Sequence, residues 1–141
     1  MQAALDALPP EVVVQSRSRV YETPAWGFEE QPPFLNMAVM GETGLQPEAL
    51  LKQLKQLETR LGRIPSFHWG PRLIDIDLLF YDDLIVDTTQ LVIPHPRLQE
   101  RAFVLIPLAD ISPDLVHPVL GKTIRQLLEG LDKNGIVPIS A

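Results

Sequence analysis

Fourteen prolines spread along 141 residues set the tightest limit on what this chain can become. Proline lacks a backbone N–H and holds φ near −65°, so it fits helix starts, strand edges and turns but interrupts element interiors. Regular elements are therefore expected in the intervals between prolines. Pro47 opens one such interval at a position where the missing N–H costs nothing. Leu50, Leu54, Leu57 and Leu61 then recur at helical spacing and Gly62 closes the run, which predicts a helix over 47–62. The same reading gives a short helix over 1–8, strands over 12–22 and 34–43, and loops over 23–33 and 63–71. It continues with a strand over 73–80, a turn at Asp82-Asp83, a strand over 84–86, helices over 97–111 and 122–131, and a last strand over 135–139. The strands hairpin rather than alternate strictly with helices. That implies an α+β fold with a mostly antiparallel sheet flanked by helices, in one domain spanning 1–141.

Within the 73–80 strand stands Asp75-Ile76-Asp77, preceded by Trp69-Gly70-Pro71-Arg72. Alternate strand residues share a face, so the two carboxylates project together while Ile74, Ile76 and Leu78 point the other way. Two carboxylates so close repel unless a cation relieves them. Hard oxygens presented this way suit Mg²⁺, which prefers one or two carboxylates completed by phosphate oxygens and water. A solvated strand alternating acidic and apolar residues is the plainer alternative.

Charge distribution points the same way. The net charge of −6 argues against nucleic-acid binding. Yet Arg60, Arg63, Arg72, Arg97 and Arg101 lie between residues 60 and 101 with His68 and His95, and no lysine is among them. Any one of these arginines could be ordinary solvated surface. Together, in an acidic protein, their forked donors suit a phosphorylated small molecule. The sequence contains no run of eighteen apolar residues that could span a membrane, and no signal peptide is visible. The absence of cysteine excludes disulfides and thiolate zinc sites and fits a cytoplasmic location.

Five short motifs in order carry a family resemblance. They are Tyr21-x-Thr23-Pro24, Gln31-Pro32-x-Phe34-Leu35-Asn36, Trp69-Gly70-Pro71-Arg72-x-x-Asp75-x-Asp77, Pro94-His95-Pro96-Arg97-x-x-x-Arg101-x-Phe103, and Pro107-Leu108-Ala109-Asp110-Ile111-x-Pro113. The chain resembles the 6-hydroxymethyl-7,8-dihydropterin pyrophosphokinases of folate biosynthesis. The resemblance implies a ferredoxin-like α/β sandwich and transfer of the pyrophosphoryl group of ATP to the pterin hydroxymethyl group, releasing AMP with two Mg²⁺ ions. It implies Asp75 and Asp77 as metal ligands, and Arg72 and Arg101 beside them in catalysis. Glu58, Arg63, Arg72, His95, Arg97 and Arg101 fall on the ATP side. Thr23, Pro24, Phe34, Asn36, Trp69 and Phe103 fall on the pterin side. The bare residues agree: two rings can stack on a flat pterin while an amide reads its edge. Core packing is the plainer role for either Phe.

Against that family pattern, Met1 falls inside the first helix, so the preceding strand and its Gly-Ser-Asn loop are absent from the expected fold. A full family domain is expected to be a monomer, whereas a sheet lacking that strand leaves edges that invite a dimer. Two other readings stay open here. One is a non-catalytic remnant that still binds nucleotide or pterin, and the other is an unrelated Asp-x-Asp enzyme such as a nucleotide-sugar transferase.

Overall fold

The computed structural model describes residues 2–23, 34–62 and 75–139. The chain divides into two compact units, Met1–Val14 with Gly41–His95, and Gln15–Met40 with Pro96–Ala141. The division passes through β1 (Val12–Arg17) and β4 (Val39–Thr43), which pair with each other.

In the first unit, the 47–62 interval is the helix its leucines require. α2 (Pro47–Gly62) buries Pro47, Leu50, Leu54 and Leu57 and packs on α1 (Gln2–Ala7), which buries Ala4. Tyr81 reaches the loop before α2, its hydroxyl donating to the Leu45 carbonyl at 2.6 Å. A hairpin follows, β5 (Val86–Asp87) antiparallel to β6 (Val92–Ile93), with Val86 opposite Ile93. It closes through Thr88, whose amide donates to the Leu91 carbonyl while its hydroxyl oxygen accepts from the Leu91 amide. The expected strand thus begins at 86 rather than 84. Gly41 has a steric reason to be glycine. A Cβ there would stand 2.9 Å from the Val13 carbonyl oxygen and 2.8 Å from Val12 Cγ1.

In the second unit, β2 (Tyr21–Thr23) lies between β3 (Phe34–Asn36) and β7 (Val137–Pro138), antiparallel to both. The α+β class and its antiparallel pairing therefore hold, distributed over three short sheets among the described residues. The strands expected over 12–22 and 34–43 are each split in two, and Ser18 explains the break. Its amide donates to the Ala38 carbonyl at 2.8 Å, but the Ala38 amide donates to the Ser18 hydroxyl oxygen, also at 2.8 Å. A side chain has taken the place of a backbone acceptor, and the ladder stops there.

The core of this unit is helical. Leu98 in a 3₁₀ turn (Leu98–Glu100), Leu105 in α3 (Ala102–Ile111) and Ile124 in α4 (Ile124–Glu129) are all fully buried, and α3 packs against the other two elements. Pro107 breaks the proline rule by standing inside α3. It cannot donate to the Phe103 carbonyl, but its ring is wholly buried, and that burial offsets the lost bond. The helix expected over 97–111 is interrupted at Arg101, whose extended backbone (φ −118°, ψ 96°) makes it the N-cap residue of α3. α4 starts on a reciprocal cap. The Thr123 hydroxyl oxygen accepts from the Gln126 amide, and Gln126 Oε1 accepts from the Thr123 amide. No helix among the described residues is long and apolar enough to cross a membrane.

His117, without an assigned role from the sequence, organises the loop before α4. Its ring is buried, and Nδ1 accepts from the amides of Val119 at 3.2 Å and Leu120 at 3.1 Å. An acceptor Nδ1 requires an unprotonated nitrogen, and burial depresses the imidazole pKa below its usual value. The unfolded chain, titrating near pH 6.5, therefore binds the proton more readily than the native state. Stability from His117 should be complete above about pH 6.5 and lost as pH falls through the depressed native value. Thermal melts should show a gap between wild type and His117→Gln that is widest near pH 7.5 and narrows toward pH 5. A gap independent of pH would remove proton linkage from this residue.

Candidate active site

In the first unit, residues 75–80 belong to no strand, which corrects the expectation of a strand over 73–80 in its described part. The physical reason is visible at Ile76. Its amide donates to Glu58 Oε2 on α2 instead of to a neighbouring strand. One backbone bond, from the His95 amide to the Leu79 carbonyl at 2.9 Å, ties the segment to the residues after β6. The alternation that matters survives without a ladder, since Asp75 and Asp77 are exposed while Ile76 and Leu78 are half-buried. The two carboxylates share the solvent side, and Glu58 anchors the peptide group between them. Glu58 itself is 11 % exposed, with Oε1 3.3 Å from Lys55 Nζ. That carboxylate, expected on the ATP side, is engaged with the backbone of the acidic segment.

No cluster of three or more His, Cys, Asp or Glu suited to a metal occurs among the described residues. Among the described residues the donor set is two exposed carboxylates, too few to enclose a cation. It fits a hard ion whose remaining ligands come from phosphate and water.

The second unit holds Thr23, Phe34, Asn36 and Phe103 of the residues expected at the pterin, together with Arg97 and Arg101. Thr23 is buried on β2, and Asn36 on β3 donates from Nδ2 to Thr23 Oγ1 at 3.3 Å. That bond joins the two polar pterin candidates and orients the Asn36 amide. Phe34 pairs with Thr23 in register and is 48 % exposed, so the core role open to it from the sequence does not apply. Phe103 is half-buried in the first turn of α3, with the Arg101 guanidinium 5.8 Å from its ring centroid. A cation held over a ring face is a modest attraction, and it sets the direction of the Arg101 side chain. Arg97 is exposed at the start of the 3₁₀ turn, and His95, which closes the first unit, is half-buried. Pro24, Arg63, Trp69 and Arg72 lie outside the described residues.

Sequence reasoning missed the polar tie beside this group. The Tyr21 hydroxyl lies 2.8 and 2.9 Å from the two carboxylate oxygens of Asp110. Arg19 donates to Asp110 Oδ2 from its backbone amide at 3.2 Å and from Nε at 3.3 Å, and its Nη2 donates to the Tyr21 hydroxyl oxygen at 2.8 Å. Burial acts to raise the Asp110 pKa, but hydrogen bonds from Arg19 and Tyr21 and the Arg19 charge outweigh it and hold the carboxyl below its usual range. Burial, reinforced by the hydrogen bond to Asp110, pushes the Tyr21 phenol up. Both residues stood in the family-like motifs, which was the available signal.

Comparison with known proteins adds to this geometry. Residues 1–113 match the family model for 7,8-dihydro-6-hydroxymethylpterin-pyrophosphokinase. A Methylorubrum extorquens protein named 2-amino-4-hydroxy-6-hydroxymethyldihydropteridine pyrophosphokinase is 48% identical over 130 residues, covering 92% of this chain and 81% of its own length. A protein of the same name from Aquifex aeolicus is 42% identical over 123 residues, 87% of this chain and 77% of that protein. The folic acid synthesis protein FOL1 of Dictyostelium discoideum is 43% identical over 128 residues, 91% of this chain but 20% of that much longer protein.

Proposed function

This chain belongs to the 7,8-dihydro-6-hydroxymethylpterin-pyrophosphokinase family, and from that premise we propose that it transfers the pyrophosphoryl group of ATP to 6-hydroxymethyl-7,8-dihydropterin in folate biosynthesis. The hydroxymethyl oxygen attacks the β-phosphorus, the bond to the AMP oxygen breaks, and the hydroxyl proton is released. The observation that carries this reading is the exposed Asp75–Asp77 pair, with its central peptide held by Glu58, in a chain so similar to named pyrophosphokinases.

Asp75 and Asp77 would hold Mg²⁺, two ions in all, against the ATP phosphates. When bound, the metal neutralises phosphate charge and orients the chain for in-line displacement. The protein's own residues supply position and charge, which is most of what such a transfer needs. Glu58 keeps both carboxylates on one side by holding the peptide between them. Arg101, steered by Phe103, offers a fork to a phosphate oxygen, as do Arg97, Arg63 and Arg72, and His95 adds a further donor. Phe34 and Phe103 stack on the pterin, with Trp69 and Pro24 completing its surroundings. Thr23 holds one N–H of Asn36, so the amide's carbonyl and second N–H read the pterin edge. The family match runs through both compact units, which supports residues 1–141 working as one domain. A cytoplasmic protein that binds neither nucleic acid nor membrane completes the proposal.

The direct test is to supply ATP, Mg²⁺ and the hydroxymethyl-dihydropterin and identify the products. AMP and the pterin diphosphate are expected in equal amounts. ADP in place of AMP would make the chain a simple kinase and end this reading. Asn36→Leu should weaken pterin binding by about 1–3 kcal/mol, roughly fivefold to 150-fold, because the ligand edge loses its partner. ATP affinity should hardly change. Equal losses for both ligands in calorimetry would mean that Asn36 supports Thr23 and reads nothing.

A further inference from the structure

Tyr21 and Asp110 are 89 residues apart and tie together two elements that carry proposed substrate groups, and Tyr21 stands opposite Asn36 in the β2–β3 ladder. On β2, Tyr21 and Thr23 occupy the buried face and Glu22 lies between them. On α3, Phe103 and Asp110 are seven residues apart, and a helix returns to nearly the same face after seven residues. α3 packs against both β2 and β3. The ring proposed to stack on the pterin and the carboxylate that grips Tyr21 therefore share one side of one helix. Thr23, which orients Asn36, shares one side of one strand with Tyr21.

We propose that Tyr21 and Asp110 are positioning residues for the pterin, their hydrogen bonds setting the separation between the strand that carries Thr23 and the helix that carries Phe103. Arg19 stiffens the tie from outside. Its guanidinium lies 5.3 Å from the Tyr21 ring centroid and donates to both the phenol oxygen and the carboxylate. A flat ring is sensitive to this spacing because stacking works only within a narrow range of centroid distances. The proposal rests on the pterin assignment made above. A tie that served stability alone would shift melting and leave the two substrates equally bound. A tie that sets the spacing weakens one substrate and spares the other.

The experiment measures two affinities by calorimetry in wild type, Tyr21→Phe, Asp110→Ala and Asp110→Asn. The probes are a non-hydrolysable ATP analogue with Mg²⁺, and the hydroxymethyl-dihydropterin at saturating analogue. Tyr21→Phe and Asp110→Ala should each weaken the pterin about tenfold, the loss of one charge-assisted bond, and leave the analogue within about twofold. Asp110→Asn keeps one acceptor for the phenol and should recover part of the loss. The double variant Tyr21→Phe/Asp110→Ala should be no worse than either single one, as coupled groups require. Lower melting temperatures with both affinities unchanged, or falling together, would overturn the proposal. If wild type bound no pterin, the functional reading would fail first. Resonances of Thr23, Asn36 and Phe103 in the ligand-free protein then decide, since they must move in Tyr21→Phe, and unmoved resonances overturn the proposal as well.

Discussion

Asp75→Ala and Asp77→Ala should each cut AMP release from ATP and pterin by about a thousandfold or more. Charge neutralisation by a metal supplies several kcal/mol to such a transfer, and each ~1.4 kcal/mol is a factor of ten in rate. Neither carboxylate is buried, and removing one relieves its repulsion with the other. The fold should therefore survive, with a melting temperature within a few degrees of wild type and an unchanged far-ultraviolet spectrum. Mn²⁺ titration in the presence of the ATP analogue gives a readout independent of turnover, and each variant should lose metal affinity. Asn replacements are the finer probe, because they keep size and one acceptor oxygen but lose the charge. If either Ala variant released AMP at near wild-type rates, the pair would be solvated surface. If either unfolded instead, its carboxylate would be structural.

Features that reside in local pattern could be read before the structure. The helix 47–62 follows from Pro47, four leucines and Gly62, and all of that information lies inside the segment itself. The shared face of Asp75 and Asp77 also came from local alternation. What was misjudged there was the partner. Whether an extended segment joins a ladder depends on who accepts from its amides, and the Ile76 amide goes to a helix carboxylate rather than to a strand. The split of the two long strands was invisible for a similar reason. Ser18 looks like any polar strand residue until Ala38 stands opposite and its amide meets a hydroxyl. The Tyr21–Asp110 tie spans most of the chain, and no periodicity connects residues so far apart. The candidate site was thus proposed as a set of residues from motif order. The contacts behind them, Glu58 to the acidic segment and Asp110 beside the proposed pterin residues, became legible only in the structure.

Leu105→Ala should be the most damaging single change to stability proposed here. Leu105 is fully buried in α3, and Leu98 and Ile124 are fully buried on the elements packed against that helix. Removing three carbons from such a place forfeits their transfer free energy and leaves a cavity, together about 2–5 kcal/mol. A domain of ordinary stability holds only about 5–15 kcal/mol in total. For a chain of this length the loss corresponds to a fall in melting temperature of roughly 6–20 °C. Val119→Ala is the matched control, since Val119 is 59% exposed and its trimming should cost under about 0.5 kcal/mol. Because α3 is capped by Arg101 and carries Phe103, its melting would also dismantle the proposed phosphate and pterin contacts. Activity of Leu105→Ala should therefore follow the folded fraction, near wild type in the cold and collapsing at temperatures wild type tolerates. A denaturation midpoint within experimental error of wild type would show that neighbouring side chains close the cavity, and the packing assigned to this core would be wrong. Normal stability with lost activity would instead place Leu105 in the site itself.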